Sequence, residues 1–430
     1  MSSFRSDSSG AAEAVANIED LLTQILVSVP LRSLARFKCI STHWRSLISD
    51  LHTVKNPKIS TFFPSKFQDE SYESIPLGNS QIPSCWNPLK ILNNSIPDGS
   101  ELRILQSCNG LLLCLCVTTK ERRHDVVYVF NPTTNQFRAI SSPRVRENMS
   151  LSAFTHYALA FDPCKSPHYK VICVSNFFYC YDRGHHQIDI YSSETGEWKH
   201  LDTPFFPSPL HFNRIREGAV YCNGAVHWMR NVGGNLSFSD ARNEFIRHET
   251  DVLHYFDIGQ ERLGLVSATP PIPLVVRNIP LKDSGKSPTE WPTFDQRYFG
   301  ESGGHLYLIE TYKHCKTQFD VMEMERDYSG WFVKYHVDLN PLFTALPSSN
   351  DSVILCLSQE KEKHNEEDSS ADLLLHMPGK VISYNLRNKT FKTSVVESAN
   401  EKLFFDIDSR FFCSEVVMYP YMESLACVGR

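Results

Sequence analysis

The sequence predicts a mainly β fold with a small N-terminal α module: three short helices, then small sheets repeated around an axis. Three observations predict it. Apolar residues recur at steps of three and four between Asn17 and Lys55. Short alternating strands separated by turn signals fill the chain beyond Glu101. One strand–turn–strand unit returns through that region at a nearly constant interval.

Composition sets the frame. The chain has 430 residues, 41% hydrophobic and 21% charged, which suffices for a large core and exceeds one small domain. A formal net charge of −6 argues against nucleic acid as the main partner, because phosphate neutralisation needs a basic surface. Mean hydropathy is −0.29, and the longest apolar run, Leu111 to Val117, is only a strand's length, so no membrane span is expected. The polar start, Met1 to Gly10, lacks the apolar stretch of a secretory signal, and residues 1–16 read as a disordered N-terminus. Thirteen cysteines, an odd number with no C-x-x-C pair, fit buried free thiols in a reducing compartment, so a cytoplasmic or nuclear location is expected.

In the first helix, Ile18, Leu21, Leu22, Ile25, Leu26 and Val29 form one apolar stripe. Asn17 suits the helix start as a cap, and Asp20 suits the positive end of the dipole. Pro30 ends this helix and opens a second, in which Leu31, Leu34, Phe37 and Ile40 recur every three residues. Ser41 caps a third, whose face is Trp44, Leu47, Ile48 and Leu51. Three helices in about 35 residues cannot bury all three stripes against each other. The remaining face either caps the rest of the chain or docks on a partner protein.

Asp20-Leu21-Leu22-Thr23-Gln24-Ile25-Leu26, Pro30-Leu31-Arg32-Ser33-Leu34, Arg36-Phe37-Lys38-Cys39-Ile40-Ser41 and Trp44-Arg45-Ser46-Leu47-Ile48 together resemble an F-box, assigned to residues 17–56. The sequence departs from that pattern at its opening, where Asn17-Ile18 stand in place of Leu-Pro. The resemblance implies docking on the SKP-type adaptor of a cullin–RING ubiquitin ligase. Carried over by position, the adaptor-binding residues are Leu21, Leu22, Ile25, Pro30, Leu34 and Phe37, whereas Trp44 and Leu47 resemble the module's own core.

Residues 57–100 change character. Prolines are frequent (Pro64, Pro76, Pro83, Pro88, Pro97) and no period persists, which reads as a linker with short ordered pieces, packed where Phe62, Phe63 and Trp86 allow. The alternative is that this stretch joins the first sheet.

Beyond it, the recurring unit is a strand, a polar residue, a turn and a bulky residue six positions on. It runs from Val127 through Asn131 to Phe137, and from Ile188 through Ser192 to Trp198. It returns from Leu253 through Asp257 to Leu263, from Val321 through Glu325 to Trp331, and from Val381 through Asn385 to Phe391. The polar positions 131, 192, 257, 325 and 385 are 61, 65, 68 and 60 residues apart, room for a four-stranded sheet and one long loop each. A sixth unit could be assembled from Tyr157–Asp162 with Val171–Val174. Upstream turns, Asn109-Gly110, Asn223-Gly224 and Gly303-Gly304, each precede a strand. Radial repetition in a β-propeller protects the edges of such sheets, a large β-sandwich or two β domains being the runner-up. Phrases such as Ser107-Cys108-Asn109-Gly110-Leu111 and Phe130-Asn131-Pro132-Thr133-Thr134 resemble the kelch-like F-box-associated interaction domain of plant F-box proteins, over residues 101–425.

Two insertions stand apart. Residues 268–292 carry six prolines and read as an extended surface loop, and residues 358–372 form a charged loop. Gly300-Glu301-Ser302-Gly303-Gly304 fits a hydrolase nucleophile pattern, but a strand follows it where that chemistry needs a helix. Ser284-Gly285-Lys286-Ser287 lacks the first glycine of a phosphate loop. His185-His186, adjacent on extended chain, point apart and read as an exposed hairpin loop rather than a metal site. His227 and His305 read as packed or hydrogen-bonded. No metal, cofactor or catalytic residue is assigned. The sequence therefore reads as a non-catalytic target-recognition subunit of an SCF-type cullin–RING ligase. The adaptor and an unidentified target protein are its partners, with no nucleic acid and no membrane. The alternatives are a β-propeller enzyme or sugar-binding protein with a helical cap, and a ligase-independent scaffold.

Overall fold

A computed structural model describes residues 18–54, 59–66, 72, 74–77, 86–97, 100–118, 126–143, 153–177, 185–201, 218–229, 236–239, 244–247, 253–266, 268–277, 294–346, 352–359, 371–395 and 416–429. The chain opens with helices α1 (Glu19–Ser28), α2 (Leu31–Phe37) and α3 (Thr42–Val54). Ile18, with no side-chain cap bond, is the N-cap of α1, and Asn17 lies outside the described residues, as does the expected disordered N-terminus. Pro30 precedes α2, and the Ser41 hydroxyl accepts the Trp44 N–H at 3.1 Å, the cap expected for α3.

The rest is a six-bladed β-propeller. Strands β1 (Thr61–Lys66) and β2 (Ile75–Pro76), and a turn of helix α4 (Lys90–Asn93), come first. Blade one is β3 (Ser100–Cys108), β4 (Leu111–Thr118), β5 (Val126–Asn131) and β6 (Gln136–Ser141). Blade two is β7 (Ala153–Ala160), β8 (Lys170–Phe177), β9 (His185–Ser192) and β10 (Glu197–Leu201). Blade three begins with β11 (Val220–Cys222) and β12 (Ala225–Met229). After an inserted hairpin of β13 (Leu236–Ser239) and β14 (Glu244–Arg247), it ends with β15 (Leu253–Asp257) and β16 (Arg262–Val266). The single helical turn α5 (Leu274–Arg277) leads to blade four: β17 (Phe294–Ser302), β18 (His305–Tyr312), β19 (Gln318–Met324) and β20 (Trp331–Asp338). Helix α6 (Asn340–Ala345) leads to blade five: β21 (Val353–Gln359), β22 (Ala371–Met377), β23 (Lys380–Asn385) and β24 (Phe391–Val395). The sixth blade is shared by the first and last strands of the propeller. The C-terminal β25 (Val416–Tyr421) pairs with β1, and β1 with β2. The first strands of successive blades, with β25 in sixth place, touch in a closed ring.

That closure bears on two expectations. Within residues 57–100, β1 supplies the hydrogen-bond partners that β25 would otherwise lack, and β2 extends that sheet. Tyr157–Asp162 and Val171–Val174 do not start a sixth unit; they belong to β7 and β8, the first half of the blade that the Ile188–Trp198 hairpin completes. The difference has a physical source. Third and fourth strands are joined by a loop with recurring chemistry, whereas first and second strands in this blade are joined by the longer connection 161–169.

The recurring polar residue has a structural reason. Asn131 Oδ1 accepts the Thr133 and Thr134 N–H groups, Ser192 Oγ that of Glu194, Asp257 Oδ1 that of Gln260, and Asn385 Oδ1 those of Arg387 and Asn388. These four loops are tightened by the side chain at their start; at the fifth, the Glu325 carbonyl accepts the Tyr328 N–H instead. The bulky residue that follows lies opposite the residue before the polar one: Phe137 on Phe130, Trp198 on Tyr191, Leu263 on Phe256, Trp331 on Met324, Phe391 on Tyr384.

Cores lie between blades. Each adjacent pair encloses one apolar cluster, so inner strands are covered on both faces. In β4, Leu112, Cys114 and Cys116 face blade six while Leu111 and Leu113 face blade two, which explains its unbroken apolar run. Two glutamines at bulges clamp neighbouring inner strands. Gln106 Nε2 donates to the Leu159 carbonyl at 3.0 Å and its Oε1 accepts the Leu159 N–H at 2.7 Å; Gln296 does the same to Ile354.

Candidate functional site: the helical module and its strap

The three helices enclose a small core of their own. Leu22 and Leu26 of α1, Leu34 of α2, and Leu47 and Ile48 of α3 are buried together, with Val29, Leu31, Phe37 and Trp44 packed around them. The Phe37 and Trp44 rings meet edge to face at 5.6 Å. The apolar stripe of α1 is wider than this core. Its inner flank, Leu22 and Leu26, is covered; its outer flank, Ile18, Leu21 and Ile25, is 48, 41 and 46% exposed. Pro30 and Ile40 are exposed as well.

This division sorts the expected adaptor-facing set by exposure. Leu21, Ile25 and Pro30 are open to a partner. Leu22 and Leu34 are 2% and 1% exposed, held inside because a module of three short helices needs its largest aliphatic side chains for its own stability. Phe37 is half-buried against the core. Trp44 and Leu47 lie with the module's core, as the resemblance implies. Ile18 and Ile40 were missed as exposed positions, although both lie on the periodic stripes.

The stretch after β25 straps this module to the propeller. Leu425 packs against the helical core, and its carbonyl accepts a bond from Lys38 Nζ at 3.4 Å. Arg32 Nε stands 3.6 Å from Glu423, and its guanidinium lies 4.3 Å over the Trp86 ring. Burial pushes the Glu423 carboxyl above its usual range, against the pull of Arg32, and holds the Lys38 amine below its own. On the propeller side, Asn131 Nδ2 donates to the carbonyls of Ser424 and Ala426 at 3.0 and 2.8 Å. Thr133 Oγ1 accepts the Ser424 N–H, the Tyr169 hydroxyl donates to the Val428 carbonyl, and Val428 is fully buried among Leu111, Tyr157, Val171 and Tyr191. Gly110, at φ +83, leaves room for the strap: a Cβ there would sit 2.1 Å from Ser424 Cβ.

Antiparallel order puts the first–second and third–fourth connections of every blade at one end, and the others at the opposite end. The strap continues β25 and meets the turn after β3 and the loop after β5, so the helical module lies at the first of these ends. The opposite end receives the inserted β13–β14 hairpin; β10, β16 and β24 end there, and β11, β17 and β25 begin there.

The chemical motifs resolve into structure. Ser302 lies on a strand–turn–strand, its hydroxyl accepting the Gln359 N–H at 2.8 Å. His227 is buried, with Nε2 2.7 Å from the Tyr328 hydroxyl and Nδ1 3.2 Å from the Val220 carbonyl; burial lowers its pKa to about 4. His305 Nδ1 stands 2.7 Å from Glu323. His185 and His186 lie in strand β9, not in a loop, because they pair with Phe177 and Asn176. In the proline-rich insertion, residues 274–277 turn into α5 with Val276 buried; Ser284–Ser287 and most of the charged loop lie outside the described residues. Of the ten described cysteines, all free, six are buried, and burial raises the Cys108 and Cys173 thiols to about 12. Among the described residues no cluster of His, Cys, Asp and Glu could hold a metal ion, and no helix is long and apolar enough to cross a membrane.

Residues 19–56 match the F-box domain, and residues 68–276 match the F-box associated beta propeller domain, a match that starts within the stretch expected as a linker. The F-box protein At5g07610 of Arabidopsis thaliana is 32% identical, over 94% of this chain and 92% of that protein. The F-box/kelch-repeat protein At3g23880 of the same plant is 25% identical, over 53% of this chain and 63% of that protein. Among solved structures, the beta-propeller domain of the Trilobed protease from Pyrococcus furiosus is 10% identical with a TM-score of 0.28, over 69% of this chain and 86% of that one.

Proposed function

Because the chain belongs to the F-box proteins with an F-box-associated β-propeller, we propose that it is the target-recognition subunit of an SCF-type cullin–RING ubiquitin ligase. The observation that carries this reading is the half-covered stripe of α1. Ile18, Leu21 and Ile25 are apolar, adjacent and open on a module whose own core is already complete. Apolar side chains at that spacing fit a groove on an SKP-type adaptor, with Pro30 at the rim.

The propeller, outside the surface that meets the helical module, holds the target. In this reading the chain supplies no bond-making group. It raises the local concentration of target lysines near the ubiquitin donor, and a stiff strap matters because an effective concentration depends on geometry. Co-expression with an SKP-type adaptor tests the proposal. The full chain should co-purify with the adaptor, Leu21→Asp with Ile25→Asp should not, and proteins captured by the propeller should accumulate when the proteasome is inhibited. A double variant that retains the adaptor would overturn the docking face.

A further inference from the structure

Among the described residues the outer strand of each blade pairs on one side only, and that of blade five differs from the others in charge and exposure. The β23–β24 hairpin carries Lys380, Arg387, Lys389 and Lys392 and no acid, in a chain whose net charge is −6. None of the other four third-to-fourth hairpins carries more than two Lys or Arg, and three of them carry two or more acids. Strand β24 is exposed along most of its length, with Phe391 36% and Val395 84% open. Among the described residues it is the outermost strand of its sheet.

Register shows what this edge offers. Asn385 N–H donates to the Thr390 carbonyl, so Asn385 and Thr390 form a hydrogen-bonded pair. Pairs alternate from there. Tyr384–Phe391, Ile382–Thr393 and Lys380–Val395 are therefore non-hydrogen-bonded pairs, and the N–H and C=O groups of Phe391, Thr393 and Val395 point away from β23. Their exposed side chains share one face of the sheet, and Lys392 lies between them on the other face.

We infer that the β24 edge binds an extended acidic segment of a target protein as a fifth strand of the blade. Three residues present outward backbone donors and acceptors for pairing, Phe391 and Val395 supply apolar contact beside them, and the lysines select acidic side chains. The same lysines oppose pairing with a second copy of this edge, since like charges would face each other. The inference rests on the reading that the propeller holds the target, but not on adaptor docking.

The test uses the full chain and a fluorescein-labelled heptapeptide alternating Glu and Val, read by fluorescence anisotropy. The acidic peptide should bind saturably. A peptide with Lys in place of Glu should not, and neither should an acidic peptide N-methylated on the residues that face β24. Lys389→Glu with Lys392→Glu should weaken binding about tenfold. Thr393→Pro should abolish it, because it removes an outward N–H without touching the bonds to β23. Neither variant should lose the adaptor in a pull-down, so failure here is distinguishable from failure of the docking face. No saturable binding, equal binding of the lysine peptide, or unchanged binding after N-methylation would each overturn the inference. So would concentration-dependent dimerisation, seen by light scattering, that Thr393→Pro removes.

Discussion

Substituting the outer and inner flanks of α1 separately should split docking from stability. Leu21 and Ile25 are 41% and 46% exposed, and a large aliphatic side chain gains about 1.5–3 kcal/mol on full burial. Covering the exposed two-fifths of each contributes about 1 kcal/mol, so Leu21→Ala with Ile25→Ala should remove about 2 kcal/mol of adaptor affinity, near 30-fold in Kd. The same double variant should leave thermal stability nearly unchanged, since neither side chain is buried within the chain. Leu34, 1% exposed inside the module, should behave in the opposite way: Leu34→Ala should cost about 3 kcal/mol of module stability by leaving a cavity. Calorimetric titration with purified adaptor reads the first effect, and hydrogen exchange across α1–α3 reads the second. The reasoning is refuted if the outer double variant binds within threefold of the parent. It is equally refuted if Leu34→Ala abolishes binding while α1–α3 keep their protection.

Three further outcomes follow from the strap and the buried histidines. Asn131→Ala loses two bonds to the strap, about 1–2 kcal/mol, and should raise hydrogen exchange in both 422–429 and α1–α3; faster exchange in the first segment alone would show that the strap does not hold the module. Gly110→Ala and Gly224→Ala both strain a positive φ, but only the first meets a neighbour, Ser424. Gly110→Ala should lower Tm more, and equal losses would contradict the close approach. His227 has a folded pKa of about 4 against 6.5 for the unfolded chain, so the unfolded state takes up the proton first. Its contribution to stability is complete above pH 7 and falls by about 3 kcal/mol as pH drops from 6.5 to 4. His227→Gln should therefore show a shallower loss of urea midpoint over that range, and a slope equal to the parent's would refute the assignment.

Much of this molecule is legible in the linear chain because its signals are local. Helix stripes, the Ser41 cap, the Asn-Gly turns and the polar residue that tightens four of the five third-to-fourth loops all act within a few residues, so they leave a pattern that can be read in order. Those local rules determined three helices, the β repeats and the radial architecture. They could not determine which partner covers an apolar residue. Leu21 and Leu22 are neighbours of one type on one stripe, and only the packing of α2 and α3 decides that one is open and the other enclosed. Nor could they pair β1 with β25, or carry Leu425 back to a core built from residues 22–48, because those contacts span nearly the whole chain. Closing a ring leaves the last blade one set of hydrogen bonds short, and the chain end that happens to lie beside it in space completes the set. That is a property of the closed fold, and no window of sequence contains it.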